Sequence, residues 1–104
     1  MMYFKCKKVL DYLLKNGVVF TVRKHRYKVG RDWITDARGN KMADVNITEI
    51  GQIYDYNSLA GLYLSNSGFD TVEDWIAEIH KLHRSDSQRP FYLYKVESTK
   101  EGLN

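Results

Sequence analysis

The order in which helix-like and strand-like segments follow one another limits this chain's fold more than any other feature. FKCKKVLDYLLKNG opens with helical spacing. Cys6, Val9, Leu10, Leu13 and Leu14 form one apolar stripe, and Lys7, Lys8, Asp11 and Lys15 lie off it. Asp11 precedes Lys15 by four, a favourable spacing for an ion pair. Asn16-Gly17 supplies a stop, because Gly takes the left-handed conformation at no steric cost. VVFTVR follows, with five of its six residues β-branched or aromatic. A period of two sends Val18, Phe20 and Val22 to one face, expected to be core, and Val19, Thr21 and Arg23 to the other.

RDWITDARGNKMADVNITEI reads as a hairpin turning at Arg38-Gly39-Asn40-Lys41. Ala43, Val45 and Ile47 alternate in its second arm, and Ile50 falls out of phase just before Gly51. That slip predicts a β-bulge near Thr48–Gly51, a bend that helps a sheet curl. NSLAGLYLSNSG predicts a short helix, capped by Asn57 or Ser58 and ended before Gly68. FDTVEDWIAEIHKLHR predicts a longer one with Val72, Trp75, Ile76, Ile79 and Leu82 on its apolar face. Asp70 is the expected N-cap, with Glu73 completing a capping box. SDSQRP reads as a polar loop, FYLYKVE as the last strand and STKEGLN as a frayed polar tail. Helix, strand, hairpin, two helices and strand, in that order, do not make βαβ units. The expected fold is α+β: a small mixed β-barrel with helices packed at its ends. One domain over residues 1–97 with a tail over 98–104 accommodates it.

Charge is distributed unevenly. Residues 1–31 carry nine Lys or Arg and one acid, for +8, whereas residues 32–104 carry seven Lys or Arg and twelve acids, for −5. Such asymmetry predicts a basic face with an anionic partner. The single Cys, Cys6, allows no intrachain disulfide. No apolar run reaches membrane-spanning length, and charges interrupt the first residues where a signal peptide is apolar. An intracellular, cytoplasmic setting with no membrane partner is expected.

The densest charge lies in VRKHRYKVGR, where Arg23, Lys24, Arg26, Lys28 and Arg31 stand with His25 and Tyr27 and no acid. Arg and Lys neutralise phosphates with release of counterions. Tyr27 and Trp33 are able to stack on bases, although Trp33 is expected in the core. Arg23 and Thr21 share a strand face, so Arg23 is placed to hold an anion at a cleft or to pair with an acid such as Asp32 or Glu49. His25 is a candidate acid–base group. His80 and His83 lie three apart, but no further ligands converge on them in sequence. No metal site and no cofactor are expected. Tyr92 and Tyr94 share a strand face and are expected to pack the barrel.

GVVFTVRKHRYKVGRDW resembles the opening of the ASCH domain, a branch of the PUA-like superfamily. Gly17, Thr21, Arg23 and Val29-Gly30 followed by Asp32 match that family's pattern of Gly, a strand with Thr and Arg, and a Gly-Asp-like pair. SGFDTVEDW resembles its "Gly-Phe, then acidic helix start" element, and FYLYKVE its closing strand. The resemblance implies a small β-barrel with a central cleft lined by Thr21 and Arg23, and a role in binding RNA. One ASCH branch comprises amidohydrolases of acetylated cytidine that use a Lys, a Thr and a Glu. Here the Thr falls on Thr21, but the Lys position falls on Val18 and the Glu position near Ser67. Neither residue can do the work of the charged group it replaces.

The expected function is therefore RNA binding, single-stranded or structured. Arg23, Lys24, Arg26, Lys28 and Arg31 are assigned to phosphates and Tyr27 to a base. The alternatives are a small RNA- or nucleoside-directed hydrolase using Thr21 or His25 with Lys24 or Lys28, and a module that binds an acidic protein.

Overall fold

The first helix forms where the apolar period places it. In a computed structural model describing residues 1–53, 62–82 and 91–99, α1 runs Lys7–Asn16 and buries Val9, Leu10 and Leu13. Each such side chain contributes about 1.5–3 kcal/mol relative to exposure. Leu14, expected on the same stripe, is 41% exposed. Asp11 pairs back to Lys7 at 2.7 Å rather than forward to Lys15. Gly17, at φ 84°, ends the helix by donating its N–H to the Leu13 carbonyl at 2.7 Å. The expected caps at Asn57 and Ser58, His83, the loop over 85–90 and the tail over 100–104 lie outside the described residues. So do the side chains of His80 and Leu82.

Five strands form one mixed sheet: β1 (Met2–Tyr3), β2 (Val18–Arg23), β3 (Gly30–Thr35), β4 (Lys41–Ile53) and β5 (Phe91–Ser98), in the order β1-β3-β4-β5-β2. β1 pairs parallel with β3, and the remaining neighbours are antiparallel. The β3–β4 turn closes over Asp36–Asn40, beginning two residues earlier than the Arg38–Lys41 turn expected. The Asp36 carboxylate accepts the N–H groups of Arg38 at 2.8 Å and Asn40 at 3.0 Å. The expected bulge is present: Glu49 pairs with Tyr94 and Gly51 with Leu93, leaving Ile50 as the extra residue.

β2 departs from a simple alternation, because both of its faces are covered. Val19 joins an inner cluster with α1, Ile34, Val45, Ile47, Tyr94 and Val96. Phe20 and Val22 join an outer cluster with Ile53, Phe91, Leu93, Trp75 and Ile79. The outer cluster lies under α3 (Val72–Leu82), which follows the short α2 (Leu62–Ser65). α3 is capped by Thr71, whose Oγ1 accepts the Asp74 N–H at 3.1 Å, one residue later than the Asp70 cap expected. The molecule is thus an α+β domain with a curled five-stranded sheet and a helix against each side of β2–β5. The β5 strand extends to Ser98, and the Thr99 N–H reaches the Asp44 carbonyl at 2.9 Å, so the strand outlasts the boundary expected at residue 97. No helix among the described residues is long and apolar enough to cross a membrane.

Candidate functional site

β1 and β2 are the two edges of the sheet. The curl brings them near each other, and a side chain spans the gap. Arg23, the last residue of β2, donates from Nη1 to the Tyr3 carbonyl at 2.6 Å and from Nε to Thr21 Oγ1 at 3.2 Å. Its guanidinium stacks over Phe4 at 4.6 Å and Tyr27 at 5.5 Å. Burial holds its pKa below the ordinary Arg value, an effect opposed by the neighbouring Tyr27 and Tyr94 side chains. The carboxylate partners expected for Arg23 are engaged elsewhere. Asp32 pairs with the Met1 amine at 2.7 Å, and Glu49 pairs with Arg26 at 3.2 Å. No carboxylate among the described residues forms an ion pair with Arg23.

A cavity of about 270 Å³ opens at this seam. Its walls come from three stretches of chain: Tyr3 to Cys6 with Val9, Thr21 to Arg23 with Tyr27, and Phe69 with Trp75, Glu78 and Ile79. The inner and outer clusters meet here beyond the free edge of β2, and Phe69 packs against both. Thr21 and Arg23 line the cavity as expected for a cleft. Cys6 lines it too, as do Lys5 and Glu78, which no spacing in the sequence had singled out. Ser67 does not: its hydroxyl donates to the Leu64 carbonyl at 2.8 Å and accepts the Phe69 N–H at 3.1 Å, closing a turn.

The basic stretch leaves β2 as a loop between Arg23 and Gly30. His25, Arg26, Lys28 and Val29 are exposed there, as is Arg31 on β3, and Lys24 is half-buried. The loop is pinned at its middle. The Tyr27 N–H donates to the Tyr94 hydroxyl at 2.5 Å, their rings meet edge to face, and Arg26 lies over Tyr92 at 5.1 Å. Tyr94 is fully buried, so Tyr92 and Tyr94 do pack the interior from one strand face. Burial, reinforced by the Glu49 charge, pushes the Tyr94 hydroxyl above its ordinary pKa, against the Tyr27 N–H and the Arg26 charge.

Two aromatic rings lie otherwise than expected. Tyr27, expected to offer its ring to a base, is packed against Tyr94 and Arg23. Trp33, expected in the core, is 44% exposed on the uncovered face of β3 with Lys41 above its ring at 6.0 Å. The shift follows from register: Trp33 pairs with Asp44 and Ile34 with Ala43, which turns Ile34 inward and Trp33 out. A shallow groove beside the loop is lined by Arg26 to Gly30 and Asn46 to Glu49. The described residues contain no group of three or more His, Cys, Asp or Glu placed to hold a metal. Comparison with family models, curated proteins and solved structures returned no match.

Proposed function

We propose that this domain binds single-stranded RNA along its basic loop, on a PUA-like barrel of the ASCH kind. One observation carries the reading: Lys24, Arg26 and Lys28 stand on a loop that is anchored, through Tyr27 and Arg26, to the sheet, with Arg31 exposed just beyond it on β3. An anchored cationic loop presents charge to a phosphate backbone without first losing loop entropy on binding. Lys24, Arg26, Lys28 and Arg31 are the phosphate contacts in this reading. Arg23 leaves that set because its guanidinium is turned into the seam, bonded to Tyr3 and Thr21, and not out along the loop. Trp33, two residues beyond Arg31 on the same exposed strand face, takes the stacking role first given to Tyr27.

The test is binding of a labelled single strand of about 20 nucleotides across a salt series. Four neutralised phosphates give a log K against log salt slope of about −2.8, and Lys24→Ala/Lys28→Ala flattens it by roughly 1.4. A steep dependence that the double variant leaves unchanged, or no binding at about 50 mM salt, removes the reading and favours an acidic protein partner.

A second reading, the nucleoside amidohydrolase, gains from the cavity. Thr21, Lys5 and Glu78 meet there, so the residue types missing at Val18 and Ser67 are present from other parts of the chain. Single-turnover assay on acetylated cytidine decides it: product that vanishes in Thr21→Val supports it, and none above background ends it.

A further inference from the structure

The seam cavity has a chemistry of its own, separate from the basic loop. Most of its wall is apolar or aromatic: Phe4, Val9, Val22, Phe69, Trp75 and Ile79. Two of its lining side chains, Arg23 and Lys5, are cationic. Arg23 has no ion-pair partner among the described residues, and Lys5 stands at the same cavity. Glu78 is the one acid among the lining residues, so the lining carries two cations against one anion. Arg23 is half-buried, and a guanidinium partly withdrawn from water without a carboxylate is held less favourably than one balanced by an anion. Arg23 directs two hydrogen bonds at protein groups, Nη1 at Tyr3 and Nε at Thr21, and its guanidinium lies over the Phe4 and Tyr27 rings. A guanidinium has five N–H donors, so donors remain for a ligand.

We propose that this cavity is a binding site for a small organic anion with a flat apolar body, an aromatic carboxylate or phosphate ester of about one ring. The anionic group sits against Arg23 and Lys5, and the ring lies along Phe69, Trp75 and Ile79. About 270 Å³ admits one ring with its acid group and excludes a folded oligonucleotide. The site is therefore independent of RNA binding by the loop, and either stands if the other fails.

The experiment is a titration of the isotope-labelled chain with benzoate, phenyl phosphate and the neutral benzamide. It follows the Trp75 indole N–H and Arg23 Nε–H signals. At least one anion is expected to move both signals with a Kd below about 5 mM, a strength within reach of so small a ligand. Benzamide is expected to bind at least about tenfold more weakly, because it forgoes the charge-assisted bond. Glu78→Gln removes the opposing charge and should tighten anion binding about three- to tenfold. A purely structural role for Glu78 would give no such gain. Three outcomes overturn the proposal: no anion moves the two signals by about 10 mM, benzamide binds as well as the anions, or shifts appear only at Lys24 and Lys28. The last would be loose anion attraction to the loop. Glu78→Gln binding no tighter than the native chain also counts against it.

Discussion

Arg23 Nη1 lies 2.6 Å from the Tyr3 carbonyl oxygen, and this contact joins the two edge strands of the sheet. β1 has two residues and hydrogen-bonds to β3 on its other side. Its outward carbonyl would otherwise face the cavity. A charged donor meeting that carbonyl is worth about 1.5–3 kcal/mol. Arg23→Gln shortens the reach and removes the charge. It is expected to lower stability by about 2 kcal/mol, roughly 10 °C in Tm for a domain of this size. An unchanged Tm would show that the seam is held by packing of Phe4 and Tyr27 alone.

Tyr94 predicts the alkaline limit. Its hydroxyl is held above the ordinary tyrosine pKa, chiefly by burial, so the folded state keeps a proton that the unfolded chain releases near pH 10. This contribution to stability is complete below about pH 10 and is lost as pH rises from there through the folded-state value. Urea midpoints measured from pH 8 upward should fall more steeply in the native chain than in Tyr94→Phe. Parallel curves would contradict the assignment.

Two glycines separate backbone strain from mere smallness. Gly68 has φ 88°, and a Cβ there would lie 3.3 Å from Tyr12 Cβ, against α1. Gly51, in the bulge, would place a Cβ with nothing within 4 Å and lacks a positive φ. Gly68→Ala should cost about 1–3 kcal/mol. Gly51→Ala should be neutral or stabilise by up to about 1 kcal/mol. Equal losses in denaturant titrations would refute the distinction.

Trp33 and Tyr27 should respond in opposite ways. Trp33→Ala is expected to weaken single-stranded RNA binding by about 1–3 kcal/mol while shifting stability by no more than about 0.5 kcal/mol. Tyr27→Ala removes a ring packed on Tyr94 and Arg23, so it should destabilise the fold. Paired thermal melts and RNA titrations check both. If Trp33→Ala binds as the native chain does, the exposed face of β3 is outside the interface.

Local chemistry carried most of the secondary structure. Asn16-Gly17 stops α1 because only the left-handed conformation closes onto Leu13. The out-of-phase Ile50 announced the bulge because strand side chains alternate strictly. The cluster of Lys24, Arg26 and Lys28 marked an exposed loop because that much like charge is not buried together. Met2–Tyr3 went unread as a strand, since two residues have no period. Apart from that first strand, the sequence by itself determined the order of the elements, the α+β class and the place of the cationic loop. All of these depend on neighbours in the chain. Tertiary structure decided which face of each strand meets a helix: β2 is covered on both sides, and Trp33 is turned to solvent by its register with Asp44. It also gathered Lys5, Thr21, Arg23 and Glu78 around one cavity. Residues up to 73 positions apart become neighbours only when the sheet curls its edges together, and no local spacing encodes that closure.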